Sequence, residues 1–163
     1  MTSSVLIELV RHKTWATLEV VEICQRVAPE LLDKPQPGTY GSIRDTLRHL
    51  FRADERYYLT VTGEDSSAPE DAGLGTLAEA FKARARKWET VLQDPSLPDK
   101  DVTTRWGTCK ALAPLAQSIH HAEVHRTHVL SMLGAQGVQV ADFDIWEWGT
   151  KQGYVRESET ATA

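Results

Sequence analysis

The segment SIHHAEVHRTHVL, residues 118–130, contains four of the six histidines in this chain of 163 residues. On a helix, residues four apart lie on one face and residues seven apart nearly do. His121, His125 and His128 therefore form one stripe, and His120 is rotated away by about 100°. Imidazoles at positions i and i+4 can both bind one metal ion, a spacing that recurs in helical zinc sites. Two ligands rarely hold a metal ion tightly, so the segment predicts a metal site that needs a third ligand from elsewhere in the chain.

Length and composition limit the classes of protein to which the chain can belong. A chain of this size makes one domain with a substantial core. The formal charge of −5 argues against a general nucleic-acid binder. No apolar run approaches the roughly 18 residues of a membrane span, and the N-terminus lacks the regions of a signal peptide. Cys24 and Cys109 form no C-x-x-C motif. We therefore expect a cytoplasmic protein with reduced thiols and no membrane partner.

Four long amphipathic helices are predicted from apolar residues at helical spacing. Ser42, followed three residues later by Asp45, is a capping-box pattern that begins the second helix, and Thr76 begins a similar pattern for the third. Residues 99–110 are β-prone and predict a short extended stretch or hairpin. Gly134 is expected to cap the fourth helix. The predicted helices cover residues 4–28, 42–61, 76–92 and 111–133, with a short fifth helix at 143–152.

These elements predict an all-α fold, a four-helix bundle with a short extra C-terminal helix. The helical connections are too long to fix the order in which the helices run up and down. Residues 62–75 have the composition of a loop. The bundle is expected to be one domain over residues 1–156, and residues 157–163 are expected to form a disordered tail.

The second predicted helix carries His49 between its apolar face and a ridge of arginines spaced four apart. A histidine in that position is more often exposed or hydrogen-bonded than a ligand, so the residues alone leave its role open. The simplest interpretation of the ridge is a solvated face with ion pairs; the alternative is an anion-binding or partner-binding edge. Asp54 falls among core positions and needs a partner, which the sequence does not identify. The ridge consists of Arg44, Arg48, Arg52 and Arg56.

Several other polar and aromatic residues are expected to lie outside the site. His12 lies on the first helix beside charged neighbours and is predicted to be exposed. Glu123 lies off the histidine stripe and is expected to be solvated. Four tryptophans are expected in the core or at a dimer interface rather than in a substrate cage. They are Trp15, Trp106, Trp146 and Trp148.

The order of these features resembles the DinB/YfiT-like superfamily. The matching features are a histidine midway along the second helix, an H-x-x-x-H pair on the fourth helix followed by Arg126, the segment LGAQG at 133–137, and DFDIW at 142–146. Members of that group are four-helix bundles in which three histidines bind a divalent metal, often zinc or nickel. They commonly form dimers. Some, including the mycothiol- and bacillithiol-dependent branches, are metal-dependent thiol transferases or isomerases.

The resemblance implies that His49, His121 and His125 are the metal ligands and that the chain forms a homodimer. Where many members read H-R-G-Q, this chain reads H-R-T-H at 125–128. His128 is therefore either a group behind the ligands or an alternative ligand. Three imidazoles that leave one position open are typical of a catalytic metal site.

We therefore expect a metal-dependent enzyme with one divalent ion, zinc or nickel, that acts on a small molecule by thiol transfer or hydrolysis. For a transferase, a low-molecular-weight thiol is the second cofactor. The alternative is a non-catalytic, stress-related protein whose metal has a structural or sensing role. In that case His128 fills the coordination sphere.

Overall fold

Four long α-helices dominate the computed structural model, which describes residues 4–64 and 72–156. The predicted tail, 157–163, and residues 65–71 of the predicted loop lie outside the described residues. No helix within the described ranges has both the length and the hydropathy needed to cross a membrane. The α-helices and β-strands are, in chain order, α1 (Val5–Arg26), α2 (Pro29–Leu32), α3 (Ile43–Thr62), α4 (Leu74–Val91), β1 (Asp101–Thr104), β2 (Gly107–Lys110), α5 (Leu112–Ala135) and α6 (Ile145–Lys151).

The all-α prediction is confirmed, and the short extra C-terminal helix is α6. The β-prone segment forms an antiparallel hairpin of β1 and β2. The start of α3 also agrees with its sequence pattern. The Asp45 backbone N–H donates to the Ser42 hydroxyl over 3.1 Å, and the Ser42 backbone N–H donates to the Asp45 carboxylate over 3.2 Å. This reciprocal pair satisfies two N–H groups that the first turn of a helix leaves without partners.

Two predicted helix ends were wrong. The helix α4 begins at Leu74 after Gly73 and has no side-chain cap, although a capping box had been expected at Thr76. Leu74 packs against the core, so tertiary packing extends the helix beyond its local signal. At the other end of the chain, α5 continues through Gly134, and Gly137, with a φ of +80°, has the left-handed conformation expected of a cap.

The four long helices form a closed ring of contacts. The helix α1 packs against α4 and α5, and α3 packs against the same two helices, so the order around the bundle is α1, α5, α3, α4. The short helix α6 packs on the outer side of α1. This arrangement puts α3 directly beside α5, the two helices that carry the predicted ligands.

The apolar core is divided into two clusters, and every long helix contributes to both. Cluster A includes Val20, Leu47, Leu77 and Val129. Cluster B includes Val10, Tyr58, Trp88 and Leu115. Along the sequence, α1 and α5 pass from cluster B to cluster A, and α3 and α4 pass from A to B. The helices α1 and α5 are therefore parallel to each other and antiparallel to α3 and α4, an order that the sequence left open.

A layer of buried polar side chains separates the two clusters. Its members are 3–7% exposed and come one from each long helix: Lys13, Asp54, Arg84 and Ser118. Lys13 forms an ion pair with one carboxylate oxygen of Asp54, and the Trp88 indole N–H donates to the other over 3.0 Å. These contacts supply the partners of Asp54 that the sequence could not identify. Because a buried charge is costly unless it is paired, they fix the relative positions of α1, α3 and α4.

The C-terminal segment is attached to α1 through buried groups, and the prediction that His12 is exposed was wrong. His12 is 7% exposed, and its Nε2 donates to the carbonyl oxygen of Phe143 over 2.8 Å. Trp15 packs edge-on against Phe143, and its ring centroid lies 5.6 Å from that of Trp148. The charged neighbours of His12 in the sequence indicate an exposed position, but the C-terminal segment around Phe143 packs over this histidine and buries it. Trp146, by contrast, is 71% exposed.

We expect Ser42→Ala to lower the free energy of unfolding by about 1 kcal/mol, because it removes the hydroxyl that caps α3. For a chain of this size the melting temperature should fall by about 2–4 °C, which calorimetry of the metal-free protein can measure. Ser131→Ala, at an exposed position inside α5, is the matched control and should change stability by less than about 0.5 kcal/mol. Equal changes in the two variants would contradict the capping role.

Candidate metal centre

The structure brings His49, on α3, against His121 and His125, on adjacent turns of α5. One ring nitrogen of each lies within 4.8 Å of one ring nitrogen of both others. The Nε2 atoms of His49 and His121 are 3.1 Å apart. All three side chains are half-buried, so the cluster lies near the surface of the bundle rather than in its centre. The contact between α3 and α5 thus supplies the third imidazole that the fourth predicted helix lacked.

The two remaining histidines of the fourth-helix segment lie outside this cluster. His120 is exposed, as its rotation on the helix predicts. His128 is half-buried, and its ring centroid is 5.6 Å from that of His125, compared with 4.3 Å between the rings of His121 and His125. Among the described residues, the group able to share one ion consists of three histidines without His128.

The environment keeps the three imidazoles neutral. Burial and the neighbouring imidazoles lower the pKa of His121 and that of His125 from 6.5 to about 4. Burial and then the positive charges of Arg56 and Arg52 lower the pKa of His49. A neutral imidazole has a nitrogen lone pair available to a cation, and a protonated one does not. At neutral pH the cluster is therefore in the protonation state that metal binding requires.

A divalent cation fits this donor set. The Nδ1 atom of His125 is buried and has no hydrogen-bond partner in the described part of the chain. A buried polar nitrogen without a partner is costly, and a cation bound at this nitrogen would remove that cost. Three imidazole nitrogens suit zinc, nickel, copper and iron, so the donor set defines a metal class but no single element.

Two tyrosines border the cluster. Tyr40 stacks on the His49 ring at a centroid distance of 3.7 Å and meets the His125 ring edge-on at 5.9 Å. Tyr57 meets the His121 ring edge-on at 5.8 Å. Tyr40 is 50% exposed, so its ring covers one side of the cluster while remaining open to solvent. Sequence reasoning missed Tyr40, because it lies in an irregular connection where no periodicity shows which side chains meet.

The arginine ridge divides into residues with different surroundings. Arg44 forms an ion pair with Asp33 over 2.7 Å, as expected for a solvated face. Arg52 and Arg56 are exposed, and their charges act on His49. The half-buried Arg48 has a buried Nε atom without a hydrogen-bond partner in the described ranges. The charges of the ridge therefore reach the histidine cluster through Arg56 and Arg52.

The acidic residue nearest in sequence to the histidines has a structural partner. Glu123 is exposed, as expected, and forms an ion pair with Arg126. Arg126 is only 3% exposed, and its guanidinium also donates to the backbone carbonyl of Lys13 over 3.2 Å, which joins α5 to α1. Arg126, which follows His125 in the quoted motif, thus contributes to the packing behind the cluster.

The fold and the cluster together define a helical-bundle protein with a candidate three-histidine metal centre between two of its helices. The chain belongs to the DinB family, whose family model matches residues 1–153.

A solved structure has a similar fold. The crystal structure of YjoA, a DinB-like protein from Bacillus subtilis, superimposes with a TM-score of 0.65 over 86% of this chain and 99% of that one. The two sequences are 11% identical, so the likeness concerns the fold alone. No curated protein has a matching sequence.

We expect the metal-free protein to lose stability as the pH falls from about 6.5 towards 4. The unfolded chain takes up protons at the ordinary imidazole pKa of 6.5, whereas His121 and His125 in the folded chain resist protonation until about pH 4. The unfolded state then binds more protons, so the stability present above pH 6.5 is lost through this window. Urea unfolding in the presence of a chelator, at several pH values, measures the effect.

The matched control for this prediction is His121→Gln/His125→Gln, which removes both groups and should show a shallower dependence of unfolding free energy on pH. Other titrating groups remain the same in both proteins. Parallel curves for the variant and the wild type would contradict the lowered pKa values.

Proposed function

We propose that His49, His121 and His125 bind one divalent ion, zinc or nickel, and that the protein is a metal-dependent enzyme acting on small molecules. The observation that carries the proposal is the meeting of three neutral, half-buried imidazoles from two helices within 4.8 Å. Three protein ligands leave a tetrahedral ion with one position for a water or a substrate. When bound there, a divalent ion supplies a Lewis acid that lowers the pKa of a water or a thiol.

The residues around the cluster would orient the substrate. Tyr40 and Tyr57 border the three imidazoles and offer apolar ring faces with a hydroxyl at the end. Arg52 and Arg56 supply positive charge on the His49 side, where they would attract a carboxylate of the substrate or thiol cofactor. The favoured reaction is transfer of a low-molecular-weight thiol, such as mycothiol or bacillithiol, to an electrophile. Hydrolysis of a small substrate is the second reaction that this arrangement would support.

The alternative function is non-catalytic metal binding for structure, sensing or a stress response. One observation favours it: the Nδ1 atom of His128 is buried and has no partner in the described part of the chain. A rotation of this ring towards the ion would fill the fourth position and exclude substrate. The two functions thus differ in whether His128 is a ligand. The homodimer and the cytoplasmic location stay predictions of the sequence.

We expect about one divalent ion per chain in protein purified without chelator, as measured by inductively coupled plasma mass spectrometry. His49→Ala should lose the ion because two imidazoles on one helix hold it weakly. His120→Ala is the matched control, since His120 is exposed and adjacent to His121, and it should keep the ion. Retention of the ion in His49→Ala would show that the ligand set is wrong.

We expect the metal-loaded protein to conjugate a fluorogenic electrophile with at least one of mycothiol, bacillithiol and glutathione. The assay is run with zinc, nickel or manganese added. His121→Ala should abolish turnover. Arg56→Ala should raise KM for an anionic thiol more than it lowers kcat, because the arginine binds a part of the substrate away from the reacting sulfur.

The non-catalytic function makes the opposite prediction. No turnover with any of the three thiols, together with loss of the ion in His128→Ala, would favour a structural or sensing metal. An ion that remains bound in His128→Ala is expected if His128 is not a ligand.

A further inference from the structure

A small cavity lies in the bundle at the level of the buried polar layer, and His121 of the histidine cluster is among the residues that line it. Its volume is about 10 Å³, which is about the room that one water molecule needs. His121 lines it from α5, Asp54 from α3 and Lys13 from α1. The cavity is therefore a place where one candidate ligand and a buried carboxylate face the same enclosed space.

The Asp54 carboxylate retains the capacity to accept a hydrogen bond from that space. One oxygen accepts from Lys13 and the other from the Trp88 indole N–H. An ionised carboxylate has about four lone-pair sites, so these two bonds do not exhaust it. Asp54 is only 7% exposed, which means that any further partner has to come from inside the bundle.

His121 has a ring nitrogen to offer to this acceptor. Its Nε2 lies 3.1 Å from Nε2 of His49, so Nδ1 is the ring nitrogen left for another partner. Metal-binding histidines nearly always donate their second ring N–H to a carboxylate, a carbonyl or a water, which fixes the tautomer and the ring orientation. The Asp54 charge already acts on His121, raising its pKa against the stronger lowering by burial.

We propose that Asp54 is a positioning residue for His121, acting through one water molecule in the cavity. The water accepts from Nδ1–H of His121 and donates to the Asp54 carboxylate, so the Nε2 lone pair points at the ion. In the metal-free protein, His49 Nε2–H is then the donor to His121 Nε2. This inference rests on the metal site proposed above and adds the group that holds one of its ligands.

In this arrangement the ion pair of Asp54 also holds the carboxylate in place for the contact with His121. Lys13 and Trp88 hold the two carboxylate oxygens from α1 and α4, so three helices fix the point against which His121 is aligned. Lys13 and Ser118 line the same cavity and supply further polar contacts for a water molecule. A water with two to four polar partners is as much a part of a protein interior as a side chain.

The experiment compares zinc affinity, measured by competition with a chromophoric chelator, in the wild type and two double variants. Lys13→Met/Asp54→Leu removes both charges together, because removal of one alone would leave its partner buried and unpaired. We expect its Kd for zinc to rise by about 10–100-fold. Lys13→Met/Asp54→Asn has the same net charge but keeps an acceptor oxygen facing the cavity, and it should recover most of the affinity.

A second measurement does not require the metal. Nitrogen-15 NMR of the metal-free wild type should show His121 as the Nδ1–H tautomer, and Lys13→Met/Asp54→Leu should show a mixture of tautomers. A folded leucine double variant that binds zinc as the wild type does would overturn the inference. So would an Nε2–H tautomer of His121 in the wild type, whether or not the variants fold. If the wild type binds no zinc, the metal site itself fails, and the tautomer still decides the role of Asp54.

Discussion

The buried ion pair between Lys13 and Asp54 is the contact on which the arrangement of this bundle depends. Apolar clusters above and below it would tolerate small shifts of one helix along another, because dispersion and burial have little directional preference. A charge pair inside the core does not tolerate them, since each charge is costly without its partner. With the Trp88 indole bound to the same carboxylate, α1, α3 and α4 are fixed at one height.

The position of the histidine cluster depends on that alignment and on Arg126, which joins α5 to the backbone carbonyl of Lys13 on α1. His49 lies five residues before Asp54 on α3, and His121 lies beside the polar layer on α5. Their Nε2 atoms meet at 3.1 Å only if the two helices keep their register. The cluster is half-buried and bordered by Tyr40 and Tyr57, so the layer that organises the core also places three imidazoles where a small molecule can reach them. Structure and proposed chemistry thus depend on the same few buried contacts.

Local patterns in the sequence predict the helices and the hairpin. The side-chain contacts between distant segments are not visible in such patterns. The capping box at Ser42 and the helical spacing of the histidines at 121 and 125 involve residues close together in the chain, so the sequence alone is enough to recognise them. The predicted ligand role of His49 rests on the family resemblance, because the histidines that it meets are more than 70 residues away in the sequence. The partners of Asp54, the burial of His12 and the stacking of Tyr40 all depend on contacts between distant segments.

The central proposal is that three histidines bind one ion and leave one coordination position open. A crystal structure of the zinc-loaded protein, with anomalous data collected at the zinc edge, tests this most directly. We expect one anomalous peak per chain, with a nitrogen of His49, of His121 and of His125 each at about 2.0–2.1 Å and a non-protein ligand in the fourth position. A peak whose fourth ligand is His128, or a peak away from these three residues, would contradict it.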